Sequence, residues 1–147
     1  MRIAQGPRPW TIWAFGACLL ILALYNLFIG LDDWHAVARA LSSIAPWFDW
    51  SREWAIVAVF SEFTIALIPL VWIVVFAASF ARWFILFFGL IKLGWGGLAL
   101  AIAWFFGDVE FSDVIQPALV ATILILLWMP TSVNWLNKSN SNRAKLQ

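Results

Sequence analysis

The sequence predicts an all-α integral membrane protein: a bundle of four transmembrane helices, with a short amphipathic helix lying in the membrane interface between the first and second spans. Three observations lead there. The chain is 64% hydrophobic and 12% charged, whereas a soluble domain is roughly 45–50% apolar and about 25% charged, so 147 residues offer no interior large enough to hide that surface. Four stretches reach or approach the ~20 apolar residues that a helix needs to cross a hydrocarbon core of roughly 30 Å. Most of the 12 tryptophans fall at the ends of those stretches, where an apolar ring with a single N–H donor partitions best.

The first stretch, Trp10 to Leu31, is too long for the apolar part of a cleaved signal peptide, and Asp32 and Asp33 separate it from the small residues Ala36, Ala38 and Ala40. It is therefore expected to stay as a span. Residues 32 to 53 follow as the one sizeable extramembrane piece. Asp32 or Asp33 can cap a helix there, with Val37, Ala40, Leu41 and Ile44 on one face and His35, Arg39 and Ser42 or Ser43 on another. Such a helix would lie apolar face down at the interface. Pro46 ends it, and Trp47, Phe48 and Trp50 form an aromatic cluster. It reads either as part of a membrane-hugging connector or as anchors for a docking partner.

The second stretch runs from Trp54 to Ala78 and the third from Trp83 to Gly107, joined by a very short turn near Ser79 to Arg82. The fourth, Val114 to Met129, is the shortest. Its charge-free part covers only ~24 Å at helical rise, so it is expected to borrow length from Phe111 and, around Pro130, from Val133 to Trp135. Residues 1–136 thus read as one transmembrane domain, and 137–147 as a polar, cationic tail in the cytoplasm.

Orientation follows from the cations. Arg2, Arg8, Arg82, Lys138, Arg143 and Lys145 fall on one side; only Arg39 and Arg52 fall on the other, together with Asp32, Asp33, Asp49, Glu53, Asp108, Glu110 and Asp113. In short loops that bias places the cationic side, and both termini, in the cytoplasm. A bacterial inner membrane is the expected location, since no organelle-targeting segment is recognisable.

Inside the spans two ionisable residues stand out, Glu62 in the second and Lys92 in the third. A lone charge at that depth costs at least ~2.5 kcal/mol, so the two are expected to meet, as an ion pair or sharing a proton. Small residues set at three- and four-residue intervals support the idea, because they let helices approach closely in lipid. Gly89, Lys92, Gly96, Ala99 and Ala103 make one such seam; Gly16, Leu19, Ala23, Asn26 and Gly30 make a second; Ala55, Ala58, Glu62, Ile65 and Pro69 make a third. Asn26, Glu62 and Lys92 are the expected intramembrane polar centre, with Tyr25, Gln116 and Thr122 as further members. That centre acts either as a clamp fixing helix register or as a site that couples protons or a ligand.

Several functions are excluded or unsupported. A net charge of +1 without a basic face argues against nucleic acid. Cys18 is the single cysteine and His35 the single histidine, too few for a disulfide or a Cys/His metal site, and no cofactor is expected. Small multidrug transporters carry a carboxylate in the first span, which has none here. Membrane glutathione transferases need a polar, arginine-rich cytoplasmic loop, and this chain has a short one with Arg82 alone. No nucleophile–base pair or phosphate-binding loop is visible. The expectation is a non-enzymatic accessory or assembly subunit of a larger membrane complex, in contact with lipids and with other membrane subunits or copies of itself. The alternative is a carrier or receptor for a small or lipophilic molecule.

Overall fold

A computed structural model describes residues 7–107, 109 and 111–144, apart from the side chains of 79, 112, 113 and 138–144. Arg2, Asp108, Glu110 and Lys145 of the charge argument lie outside the described residues, as do the side chains of Asp113, Lys138 and Arg143. Every regular element among the described residues is an α-helix: α1 (Trp10–Asp32), α2 (Trp34–Ile44), α3 (Arg52–Val74), α4 (Ser79–Phe106), α5 (Phe111–Trp128) and α6 (Pro130–Ala144). Helices α1, α3 and α4 are each long and apolar enough to cross a membrane. A fourth crossing is made if α5 and α6, bent by 52° at their junction, act together. The chain is thus a helical membrane protein with three or four candidate spans.

Contacts divide it into two compact units, Leu20–Ile68 and the remainder, Met1–Leu19 with Pro69–Gln147. Within the smaller unit, Asp33 caps α2, its carboxylate accepting from the Ala36 N–H at 3.0 Å. This satisfies one of the donors that a helix start leaves unpaired. Of the apolar face read from the sequence, Val37 and Leu41 are half-buried and Ala40 and Ile44 exposed; His35, Arg39, Ser42 and Ser43 are exposed, and the buried residue of α2 is Ala38. Ser51 begins α3: its carbonyl accepts from the Ala55 N–H and its hydroxyl donates to Glu53 Oε2 at 2.7 Å. Gly30 of α1 lies so close to α3 that a Cβ there would stand 2.9 Å from Val59, so glycine is what permits the approach.

In the larger unit, α1 starts beside the end of α3, where a Cβ on Gly16 would touch Leu70 and Val74 at 3.4 Å. The α3–α4 turn lies four residues earlier than the sequence implied, at 75–78 rather than 79–82. Ala77 adopts φ 48°, a left-handed conformation that residues with a Cβ take reluctantly. The Ala77 and Ala78 N–H groups donate to the Ile73 and Trp72 carbonyls. Since the chain reverses at Ala77, α4 begins at Ser79 and Arg82 belongs to its first turn rather than to a loop. At its far end α4 stops at Gly107, whose φ of 73° and N–H bonds to the Ala103 and Trp104 carbonyls close the helix.

Helices α4 and α5 form an antiparallel hairpin. Trp83 meets Trp128 edge to face at 5.3 Å, and a Cβ on Gly89 would stand 2.9 Å from Leu124 and one on Gly96 3.7 Å from Pro117. Positions climb α4 as they descend α5, which is the register of an antiparallel pair. Two members of the small-residue seam, Gly89 and Gly96, therefore do the work proposed for them.

Candidate functional site

The α5–α6 junction is built from one missing hydrogen. In a continuous helix the Leu126 carbonyl would accept from residue 130, but that residue is proline and has no N–H. Pro130 instead opens α6, where the lost donor is not needed. The Ser132 hydroxyl, fully buried, lies 2.7 Å from the orphaned carbonyl and 2.8 Å from the Thr11 hydroxyl, which is itself 3.1 Å from that of Thr131. A carbonyl only accepts, and a serine hydroxyl holds one proton. The Ser132 proton therefore goes to Leu126, and Thr11 donates to Ser132. This relay ties the first turn of α1 to the bend.

Cations surround the same end of this unit. Arg8 lies three residues before Thr11, with its guanidinium 5.6 Å from the Trp13 ring. The Arg82 guanidinium stands 4.6 Å from the Trp128 ring and 5.8 Å from that of Trp83. Arg8 Nε, Arg82 Nε and Nη1, and Trp135 Nε1 are all out of solvent without a hydrogen-bond acceptor among the described residues. Cation–π contact contributes roughly 0.5–2 kcal/mol. An unsatisfied charged donor costs at least about 1–3 kcal/mol, so the rings alone do not offset the burial.

The residues of the expected polar centre fall in both units. Asn26 and Glu62 belong to the smaller unit and Lys92 to the larger. Asn26 is half-buried, while Glu62 and Lys92 occupy exposed positions near the middle of α3 and α4. The hydroxyls along these helices turn inward to their own backbone: Ser61 donates to the Val57 carbonyl, Thr64 to Phe60 and Thr122 to Ala118, at 2.7, 2.8 and 2.8 Å. A hydroxyl that donates four residues back on its own helix has its proton committed locally.

Of the proposed docking aromatics, Phe48 packs on Trp50 at 4.7 Å and on Trp54 at 5.5 Å, and Trp50 Nε1 donates to the Ala45 carbonyl at 3.2 Å. Trp47 stands apart and is 83% exposed. Phe48 and Trp50 thus contact the connector's own residues, and Trp47 makes no such ring contact among the described residues.

Helix α4 carries two faces of small residues. Gly89 and Gly96 meet α5, whereas Gly94 and Gly97 have nothing within 4 Å of where a Cβ would stand. Near the end of α4, Gly97, Leu100, Ala101, Trp104, Val109 and Val114 line an open groove of about 360 Å³ with almost no polar wall. No three potential metal-ligating side chains cluster among the described residues.

Sequence reasoning missed the hydroxyl relay and the stacking of Arg82. Pro130 signalled the first, since it must leave a carbonyl without its donor and Ser132 is close by in sequence. No local signal marked Thr11 as its partner. No family model matches the chain, and neither a curated protein nor a solved structure does.

Proposed function

We propose that the chain crosses the membrane four times, with α5 and α6 together forming the fourth span, and serves as a non-catalytic accessory or assembly subunit of a larger complex in a bacterial inner membrane. Both termini are cytoplasmic in this reading. Supporting that orientation, Arg8 and Arg82 lie at the one end of the larger unit where α1 and α4 start and α5 ends.

The observation that carries the subunit reading is the open face of α4. Only 6% of its most apolar stretch is buried, against 22% for α1 and 17% for α3. Lipid alone accounts for exposed Phe87 or Leu98. Bare glycines at 94 and 97 are different, because an exposed glycine in a helix costs roughly 0.5–1 kcal/mol relative to alanine, and in lipid such residues are characteristic of close helix–helix packing.

A photo-crosslinking residue at position 97 tests this. The subunit reading expects a discrete adduct with another membrane polypeptide, and an adduct confined to this chain from position 96, which faces Pro117. Lipid adducts alone from position 97 would contradict it. The apolar groove at Gly97, Trp104 and Val114 favours the second reading, a carrier or receptor for a lipophilic molecule. A small-molecule adduct of defined mass from position 101 would support that reading instead.

A further inference from the structure

We propose that Arg82, framed by Trp83 and Trp128, binds the phosphate of an anionic phospholipid headgroup. Four observations converge on this side chain. Its guanidinium stacks 4.6 Å from the Trp128 ring, which fixes its plane. Its Nε and Nη1 are out of solvent with no acceptor among the described residues, yet the residue as a whole remains partly exposed. Its helix start also lacks negative charge: the first turn of α4 contains no acidic residue, and Ala78 at the cap offers no side-chain acceptor. A helix N-terminus already carries partial positive charge, so an arginine in that turn concentrates positive potential instead of neutralising it. Finally, no carboxylate among the described residues accepts from these two donors.

With no acceptor among the described residues, the counter-charge is drawn from outside the chain. A phosphate diester suits it, because its oxygens accept the paired N–H groups of a guanidinium. The setting selects a lipid over a soluble anion. Arg82 sits one turn into an apolar helix between two partly exposed indoles, Trp83 and Trp128, and such rings mark headgroup level. Basic residues at that level draw anionic lipid. Arg8, with an unmet Nε at the same end, adds to the field. The assignment requires only that α4 spans a membrane and is independent of the subunit reading.

The test is thermal unfolding of the full chain in a neutral detergent, titrated with short-chain phosphatidylglycerol, with phosphatidylcholine of the same chains, or with inorganic phosphate. Phosphatidylglycerol is expected to raise Tm saturably, with phosphatidylcholine clearly weaker and inorganic phosphate without effect at equal concentration. Arg82→Gln should raise the half-saturating lipid concentration about tenfold, the scale of one charge-assisted bond. Arg39→Gln on α2 should leave it unchanged. If Arg82→Gln does not fold, Arg82→Lys keeps the charge without the planar fork and should weaken the lipid response severalfold. An equal response in wild type and in either variant overturns the proposal, as does the absence of any response in wild type. Equal stabilisation by inorganic phosphate overturns the lipid assignment. Stabilisation by an acidic peptide but not by phosphatidylglycerol would assign the site to a protein carboxylate instead.

Discussion

Replacing Ser132 by alanine removes the side chain that, among the described residues, answers the Leu126 carbonyl, and the cost can be worked from the contacts. The carbonyl is left buried without a donor, which costs about 1–3 kcal/mol. The Thr11 hydroxyl loses one of its two partners as well, keeping Thr131. Hydrogen bonds in membrane proteins average nearer ~0.6 kcal/mol, and the site lies at a helix end, so a total of about 2 kcal/mol is expected. The reasoning also predicts how that loss can be recovered. Pro130→Ala restores an N–H at the position from which a continuous helix would serve Leu126. Ser132→Ala should therefore cost about 2 kcal/mol in the native background but less than about 1 kcal/mol beside Pro130→Ala. Unfolding of the purified protein by denaturant in detergent, run as a double-mutant cycle, measures both values. An equal cost of Ser132→Ala in the two backgrounds would refute the account of the bend.

Other expectations follow from backbone approach and conformation. Gly30→Ala places a Cβ 2.9 Å from Val59 and should destabilise by about 1–3 kcal/mol, whereas Gly94→Ala meets open space and should stabilise the isolated chain by about 0.5–1 kcal/mol. Both are read from the same unfolding curves, and the opposite order would contradict the packing described. Ala77→Gly relieves the left-handed alanine at φ 48°. The relief of about 1 kcal/mol is partly offset by the freer unfolded chain, so a gain of a few tenths of a kcal/mol or more is expected, and a loss would show that the turn is not strained. Reporter fusions at Gln147 and between Asp33 and Arg52 should report opposite compartments. Agreement between the two would contradict an even number of spans between cytoplasmic termini.

Much of the architecture was legible because a bilayer leaves few options. Long apolar stretches bounded by tryptophan became α1, α3 and α4 with ends within a few residues of those read from composition, and Asp33 capped α2 as its position before an amphipathic run suggested. The ends that moved did so through backbone conformation. Ala77 turns left-handed, which composition does not announce, and so draws Arg82 into α4. Pro130 marked a break but not its 52° bend, which depends on how Ser132 and Thr11 meet across more than a hundred residues. Site reasoning fared less evenly. The spacing of Gly89 and Gly96 marked a packing seam against α5, and Lys92, between them on the same spacing, is an exposed residue. Phe48 and Trp50 read either as part of a connector or as docking anchors; Phe48 packs on Trp54 and Trp50 donates to the Ala45 carbonyl, contacts that composition does not announce.

The central claim is that the open face of α4 is covered by another membrane polypeptide. The most direct measurement is the native size of the protein extracted from its own membrane in a mild detergent, for wild type and for Gly94→Leu with Gly97→Leu. The account predicts that the wild type runs as a stoichiometric assembly far larger than one 16.7 kDa chain in its micelle, and that the double variant inserts normally but runs alone. A wild type that runs as a single chain, or a variant that keeps the full assembly, would contradict it.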